Sequence, residues 1–156
     1  FGKLDGLVHN ASILGTQMPI EQYDIKLWYS TIQINLNAPF MLTQFLIPAL
    51  LKSDDARIIF LSSTVGRKAR AYWGAYSVSK FGIEGFAKTL SEEFEKTQIS
   101  VNTVNPGKLR TEMRRTAYPA EDSSTVPLPE EKSQAIVHLL SSSSPKINGE
   151  QLTISD

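Results

Sequence analysis

Arg57-Ile58-Ile59-Phe60-Leu61-Ser62-Ser63 decides the fold. Its β-branched and apolar centre, with no polar alternation, reads as a strand buried on both faces, and the two serines stand at the strand's end. Downstream, a loop with Gly66, Arg67, Lys68 and Arg70 leads to a helix from about Tyr72 to Glu95. Ala75, Ser79, Gly82 and Gly85 are small there, so the helix can lie close against a sheet. Ser100 to Val104 is a further strand, stopped by Asn105-Pro106-Gly107. Upstream, Leu4 to Asn10 is a strand whose end carries Asn10, Ala11 and Ser12, and Gly15 to Pro19 is loop. After a polar, proline-containing stretch from Met113 to Pro129, an amphipathic helix runs from Glu130 to Leu140 and a short strand from Gln151 to Ser155. Strand and helix alternate throughout. The fold class is therefore α/β, a doubly wound parallel sheet with helices on both faces, and residues 1–156 form a single domain.

Between the first two strands, Asp24 to Lys52 reads as one long helix capped by Asp24. Ile25, Ile32, Leu36, Phe40, Ile47, Leu50 and Leu51 return to one side, the expected buried stripe, while Leu42, Phe45 and Leu46 fall outside it. A helix apolar beyond one face has a second surface to cover. Pro39 and Pro48 each remove a backbone donor and distort the helix. Asn35, four residues before Pro39, sits where such a distortion frees a carbonyl.

Composition narrows the function classes. The chain of 156 residues has a formal net charge of +0 with scattered charges, so no basic face points to nucleic acid or an anionic membrane. The most apolar segment, Phe40 to Leu51, is too short to span a bilayer. With no cysteine there are no disulfides or thiolate metal sites, and a reducing, cytoplasmic setting is expected.

The chemistry collects where ligands bind in open parallel sheets, beyond the carboxyl ends of the strands. Asn10, Ser63 and Pro106-Gly107 stand there. Tyr76 and Lys80 follow on the helix, four residues apart and so on one face. A lysine ammonium beside a phenol favours the phenolate, so Lys80 is expected to lower the pKa of Tyr76 and fit it for proton transfer.

Ser63 thirteen residues before Tyr76, Lys80 four after it, Asn35 upstream, and Pro106-Gly107 with Thr111 downstream resemble the short-chain dehydrogenase/reductase family. His9-Asn10-Ala11-Ser12 is similar to the family's Asn-Asn-Ala-Gly stretch. The runs Trp73-Gly74-Ala75-Tyr76 and Tyr118-Pro119-Ala120-Glu121-Asp122 resemble little-characterised bacterial oxidoreductases within it. The resemblance implies a Rossmann-like sheet and an NADP- or NAD-dependent oxidoreductase that interconverts a carbonyl and a secondary alcohol. It makes Tyr76 the general acid or base, and Lys80 its electrostatic partner and a ribose ligand. Ser63 becomes the donor to the substrate oxygen, and Asn35 the holder of a water that reprotonates Lys80. Asn10, Ala11 and Ser12 become cofactor-binding residues, Asn10 bracing the strand end beside the adenosine half. Pro106, Gly107 and Thr111 shape the nicotinamide pocket, with Thr111 on the carboxamide. It also implies a homodimer or homotetramer paired through the two long helices.

Some residues depart from that pattern. Ser12 replaces a glycine and is expected to crowd the cofactor slightly, and His9 replaces an asparagine. A lone histidine has no companion ligands, so no metal site is expected. His138 lies far from the motif residues. The family's Gly-x-x-x-Gly-x-Gly phosphate turn does not occur in these residues, and the chain opens at Phe1, reading as the end of a helix running into a strand. A fold truncated in its N-terminal half is therefore expected, with the Leu7 to His9 strand left as an edge. A non-catalytic, self-associating fragment or binding module is the alternative reading. Arg114, Arg115 and Tyr118 are candidates to meet an anionic or polar group, against a plain solvated loop. Tyr72 and Trp73 either line an apolar wall or simply pack.

Overall fold

The computed structural model describes residues 2–154. Four strands form one sheet in the order β1-β2-β3-β4, with β1 at Gly6–His9, β2 at Ala56–Leu61, β3 at Ile99–Asn105 and β4 at Gln151–Thr153. Every pairing is parallel, Leu7 opposite Ile58, Ile58 opposite Val101 and Val104 opposite Leu152. The strand ends therefore share one rim. Ser155, placed in the last strand by the sequence, lies outside the described residues.

The fully buried β2 serves two layers by simple alternation. Ala56, Ile58 and Phe60 pack with Leu50 of α2 (Ala38–Leu50) and with Ile83, Ala87 and Leu90 of α3 (Gly74–Glu93). Ile59 and Leu61 face the other way, onto Ile136, Leu139 and Leu140 of α5 (Pro129–Leu140). Helices thus cover both faces, as the alternation predicts. Pro129 opens α5, and Glu131 accepts the Leu128 N–H at 2.7 Å, satisfying a donor that the helix leaves unpaired.

The long helix differs from its expected form in two ways. It divides into α1 (Ile25–Ile32), a wider π turn over Gln33–Asn37, and α2. Asp24 caps α1 by accepting the Lys26 N–H at 2.7 Å. The π turn falls where Pro39, with no N–H, cannot engage the carbonyl of Asn35. The apolar stripe is also buried only in part. Leu50 is fully buried and Leu36 packs against the core, whereas Ile25 and Phe40 are exposed; Phe45, outside the stripe, is 79% exposed. Beside them Thr31, Asn35, Pro39 and Thr43 form a buried line of smaller side chains. The π turn lies close against α3 there, since a Cβ on Gly82 would come within 2.7 Å of Leu36.

The Met113 to Pro129 stretch holds α4 (Glu112–Ala117) and a turn of 3-10 helix at Ser123–Thr125. The sequence signals for both are cap residues: Thr111 accepts the Arg114 N–H at 3.2 Å, and Asp122 accepts the Ser124 N–H at 2.9 Å. Among the described residues no helix is long and apolar enough to cross a membrane.

Candidate active site

Three strand ends and the first turns of α3 build the site. At the end of β1, Asn35 clamps the chain after Ser12: its amide donates to Ile13 O and accepts from Ile13 N, both at 2.8 Å, and also donates to Ser79 Oγ at 3.1 Å. Buried and fully engaged, this side chain is a strut. Only its main-chain carbonyl remains for the water-holding role that the family resemblance implies. Asn10 is exposed, and its side chain makes no hydrogen bond among the described residues, so no bracing contact accompanies it.

At the end of β2, Ser63 is extended and opens a 3-10 turn over Thr64–Gly66. Ser77 ties that turn to α3, donating to Val65 O at 2.6 Å. Asn105 at the end of β3 ties it to the next strand, donating to Thr64 Oγ1 at 3.1 Å while its own oxygen accepts Gly107 N–H at 3.1 Å. Asn105 was read from sequence only as part of a strand stop. Its signal is a carboxamide buried at a strand end before Pro-Gly, where buried polar groups are bonded.

Tyr76 and Lys80 project from one face of α3 into this rim. The Tyr76 ring packs with Leu14, Val65 and Trp73, its centroid 5.8 Å from that of Trp73, so Trp73 is wall whereas Tyr72 is 61% exposed. The hydroxyls of Ser63 and Ser12 lie against the phenol and favour its ionised form. Lys80 is buried; its ammonium donates to Leu61 O at 2.8 Å and stands 5.6 Å from the Tyr76 ring centroid. Burial brings its pKa down to about 8, even with Glu84 one turn further along α3 opposing the shift. Glu84 is held by Arg67 at 2.8 Å and by the Thr103 hydroxyl at 2.6 Å.

The phenol does not behave as expected in this state. Its pKa lies above the ordinary value near 10 rather than below it, because loss of water around the ring outweighs the two serine hydroxyls. Lys80 does not offset this loss here: its ammonium stands 5.6 Å from the ring centroid and donates to Leu61 O rather than to the phenol. The Tyr76 phenol is therefore neutral.

His9 is held within the fold. Its ring stacks on Phe60 with centroids 4.6 Å apart, Nε2 bonds Thr43 Oγ1 at 2.8 Å, and burial pushes its pKa down to about 4. His138 is exposed on α5, and among the described residues no cluster suits a metal ion.

A cavity of about 470 Å³ opens over Ser63, lined also by Trp73, Asn105, Gly107, Arg114 and Tyr118. Two features fit a flat ring and a polar ligand at its edge. Gly107 has a positive φ of 75° and no side chain where a Cβ would lie 3.2 Å from Ile154 O, so the backbone is bare there. Ser12 Oγ is buried without a well-formed hydrogen bond among the described residues, leaving a donor for a ligand. Thr111, at the edge of this region, is occupied as the cap of α4.

Residues 1–122 match the family model described as short chain dehydrogenase. The chain belongs to the short chain dehydrogenase family. The oxidoreductase YciK of Escherichia coli K12 is 46% identical over 129 residues, 83% of this chain and 51% of YciK. A crystal structure of a short chain dehydrogenase from Salmonella enterica serovar Typhi superposes with a TM-score of 0.95 at 41% identity, covering 98% of this chain and 63% of that one. A chain from Escherichia coli CFT073 complexed with NADPH gives a TM-score of 0.94 at 41% identity, covering 98% and 63%. The chain thus spans about half the length of YciK, and the short chain dehydrogenase fold is seen here in the part that carries Ser63, Tyr76 and Lys80.

Proposed function

We propose that the protein is an NAD(P)-dependent oxidoreductase that interconverts a carbonyl and a secondary alcohol, with Tyr76 as general acid in reduction and general base in oxidation. The observation that carries this reading is the neutral Tyr76 phenol set between the Ser63 hydroxyl and the Lys80 ammonium at the strand-end rim. Ser12, Lys80, Pro106 and Gly107 are suited to hold the nicotinamide half of the cofactor, with Thr111 at its margin and Asn10 and Ala11 toward the adenosine half. When bound, the nicotinamide supplies or accepts the hydride.

The chain's own residues do the rest. Ser63 donates to the substrate oxygen and stabilises the charge that grows on it. Tyr76 gives that oxygen its proton, and the phenolate left behind is stabilised by the Lys80 cation. Glu84, fixed by Arg67 and Thr103, keeps Lys80 charged at neutral pH. Relatives complexed with NADPH and NADP support nicotinamide use, and the NADP form suits a reductive role.

The test is NADPH consumption with a panel of ketones and aldehydes across pH. Reduction needs a protonated phenol and a charged amine. The phenol keeps its proton past pH 10, but Lys80 loses its charge as pH rises through about 8. Because kcat/KM reports groups of the free enzyme, it is expected to fall above about pH 8, and Lys80→Met should remove that limb with most of the activity. No carbonyl-dependent NADPH oxidation at any pH would sink the reading.

The outward apolar face of α2, with Met41 57% and Phe45 79% exposed, and Val78 and Phe81 on α3 support association through these helices. We expect a dimer or tetramer in the cytoplasm. A single monomeric species by light scattering at micromolar concentration would contradict this.

A further inference from the structure

The cavity over Ser63 is electropositive in a chain that is neutral overall. Lys68, Arg70, Lys108 and Arg114 line it, and no aspartate or glutamate does. Arg114 is neutralised, holding Glu121 through two bonds of 2.7 Å, and its guanidinium lies 3.8 Å from the Tyr118 ring centroid. The other three cations make no close ion pair among the described residues, although Lys108 is near enough to Glu121 to feel its charge.

Arg70 is also held in place. It donates to Tyr118 Oη at 2.7 Å, and its guanidinium carbon lies 5.8 Å from the Trp73 ring centroid and 5.5 Å from that of Tyr118. The hydrogen bond and ring contacts that fix it use Tyr118, which the Arg114 guanidinium covers in turn. The loop is thus a wall in which Arg114 is ion-paired while Arg70, positioned by the two rings, faces the cavity that Ser63 also lines.

Resting on the oxidoreductase reading above, we propose that the substrate is an anionic carbonyl compound, its carbonyl at Ser63 and Tyr76 and a carboxylate or phosphate bound by Arg70 with Lys68 and Lys108. A cavity of about 470 Å³ holds such a molecule in one piece. A planar guanidinium gives a carboxylate or phosphate two parallel hydrogen bonds, and the two lysines add charge without fixing geometry.

The test compares matched pairs with the full protein and NADPH: acetoacetate against methyl acetoacetate, 4-oxopentanoate against its methyl ester, and dihydroxyacetone phosphate against dihydroxyacetone. A charge-assisted hydrogen bond is worth about tenfold or more, so the anionic member of at least one pair should win by that factor in kcat/KM. The ratio should fall toward one in Arg70→Ala, and less steeply in Lys68→Ala. Whether the winning anion is a carboxylate or a phosphate separates the two ligand sources. Equal or inverted ratios in all three pairs overturn the proposal while leaving the oxidoreductase reading intact. So does a loss of NADPH affinity in Arg70→Ala with the ratio unchanged, since the cations would then serve the cofactor's phosphates. If no carbonyl turns over, the oxidoreductase reading fails, and Trp73 fluorescence in a Trp28→Phe background decides the anion site. Saturable quenching by acetoacetate or dihydroxyacetone phosphate that Arg70→Ala abolishes supports it; no saturation with either overturns it.

Discussion

Tyr76→Phe is expected to lower kcat by about 100- to 10,000-fold, the range that a positioned general acid supplies. The substitution removes one oxygen and leaves the ring packed on Leu14, Val65 and Trp73. Because the phenol is bonded only loosely to Ser63 and Ser12 in this state, its loss should change folding stability by no more than about 1 kcal/mol. Melting temperature and the calorimetric affinity for NADPH should therefore stay close to the wild-type values while turnover collapses. That separation is diagnostic. Turnover near wild type would remove Tyr76 from the chemistry, and a parallel loss of NADPH affinity would make it a binding residue. The raised pKa bears on direction as well. A phenol that holds its proton past pH 10 is ready to reduce a carbonyl at neutral pH but must be deprotonated to oxidise an alcohol. The wild-type protein should thus be the better reductase at pH 7, and oxidation should improve as pH rises.

Strands and helices were legible because buried strands and small-residue helix faces are written in local sequence: Ile58 to Leu61 and Ser100 to Val104 are strand residues as read, and α3 lies within the expected Tyr72 to Glu95. The π turn at Asn35 was legible for a covalent reason, the missing N–H of Pro39. Which members of the helix stripe are buried was not. Periodicity reports that one side of a helix is apolar without saying what covers it, and here Leu36 and Leu50 pack inward while Ile25 and Phe40 are exposed and Thr31, Asn35 and Thr43 are buried beside them. Tertiary burial, likewise, sets the sign of the Tyr76 shift: an i, i+4 spacing places Lys80 near the phenol but cannot show that the ring is desolvated or that the amine bonds Leu61 O instead of the phenol. The pairings of Arg70 with Tyr118 and Arg114 with Glu121 were hidden for the same reason, since a loop rich in charge looks alike whether it is solvated or locked. What the sequence left open at Arg114 and Tyr118 was therefore a question of partners.

Gly66→Ala should damage both the fold and turnover. A Cβ at Gly66 would sit 2.8 Å from Lys80 Cβ, 3.0 Å from Lys80 backbone carbon and 2.9 Å from Ser62 Oγ. The first two belong to a helix pinned by the core and cannot swing aside as a flexible side-chain tip can. The 3-10 turn must then retreat from α3, straining the bond from Ser77 Oγ to Val65 O. Overpacking of this kind costs about 1–3 kcal/mol. The effect on catalysis should be larger, because the same turn carries Ser63, and a displacement of about 1 Å at a reacting group costs on the order of 100-fold. Gly85→Ala supplies the contrast. Nothing lies within 4 Å of a Cβ there, so on the same helix the change should stabilise the fold by about 0.5–1 kcal/mol through helix propensity and leave kcat alone. Chemical denaturation and NADPH-coupled turnover on the two variants separate close approach from helix propensity. If Gly66→Ala keeps full activity, the turn has room to move, and the position of Ser63 is not set by its contact with α3.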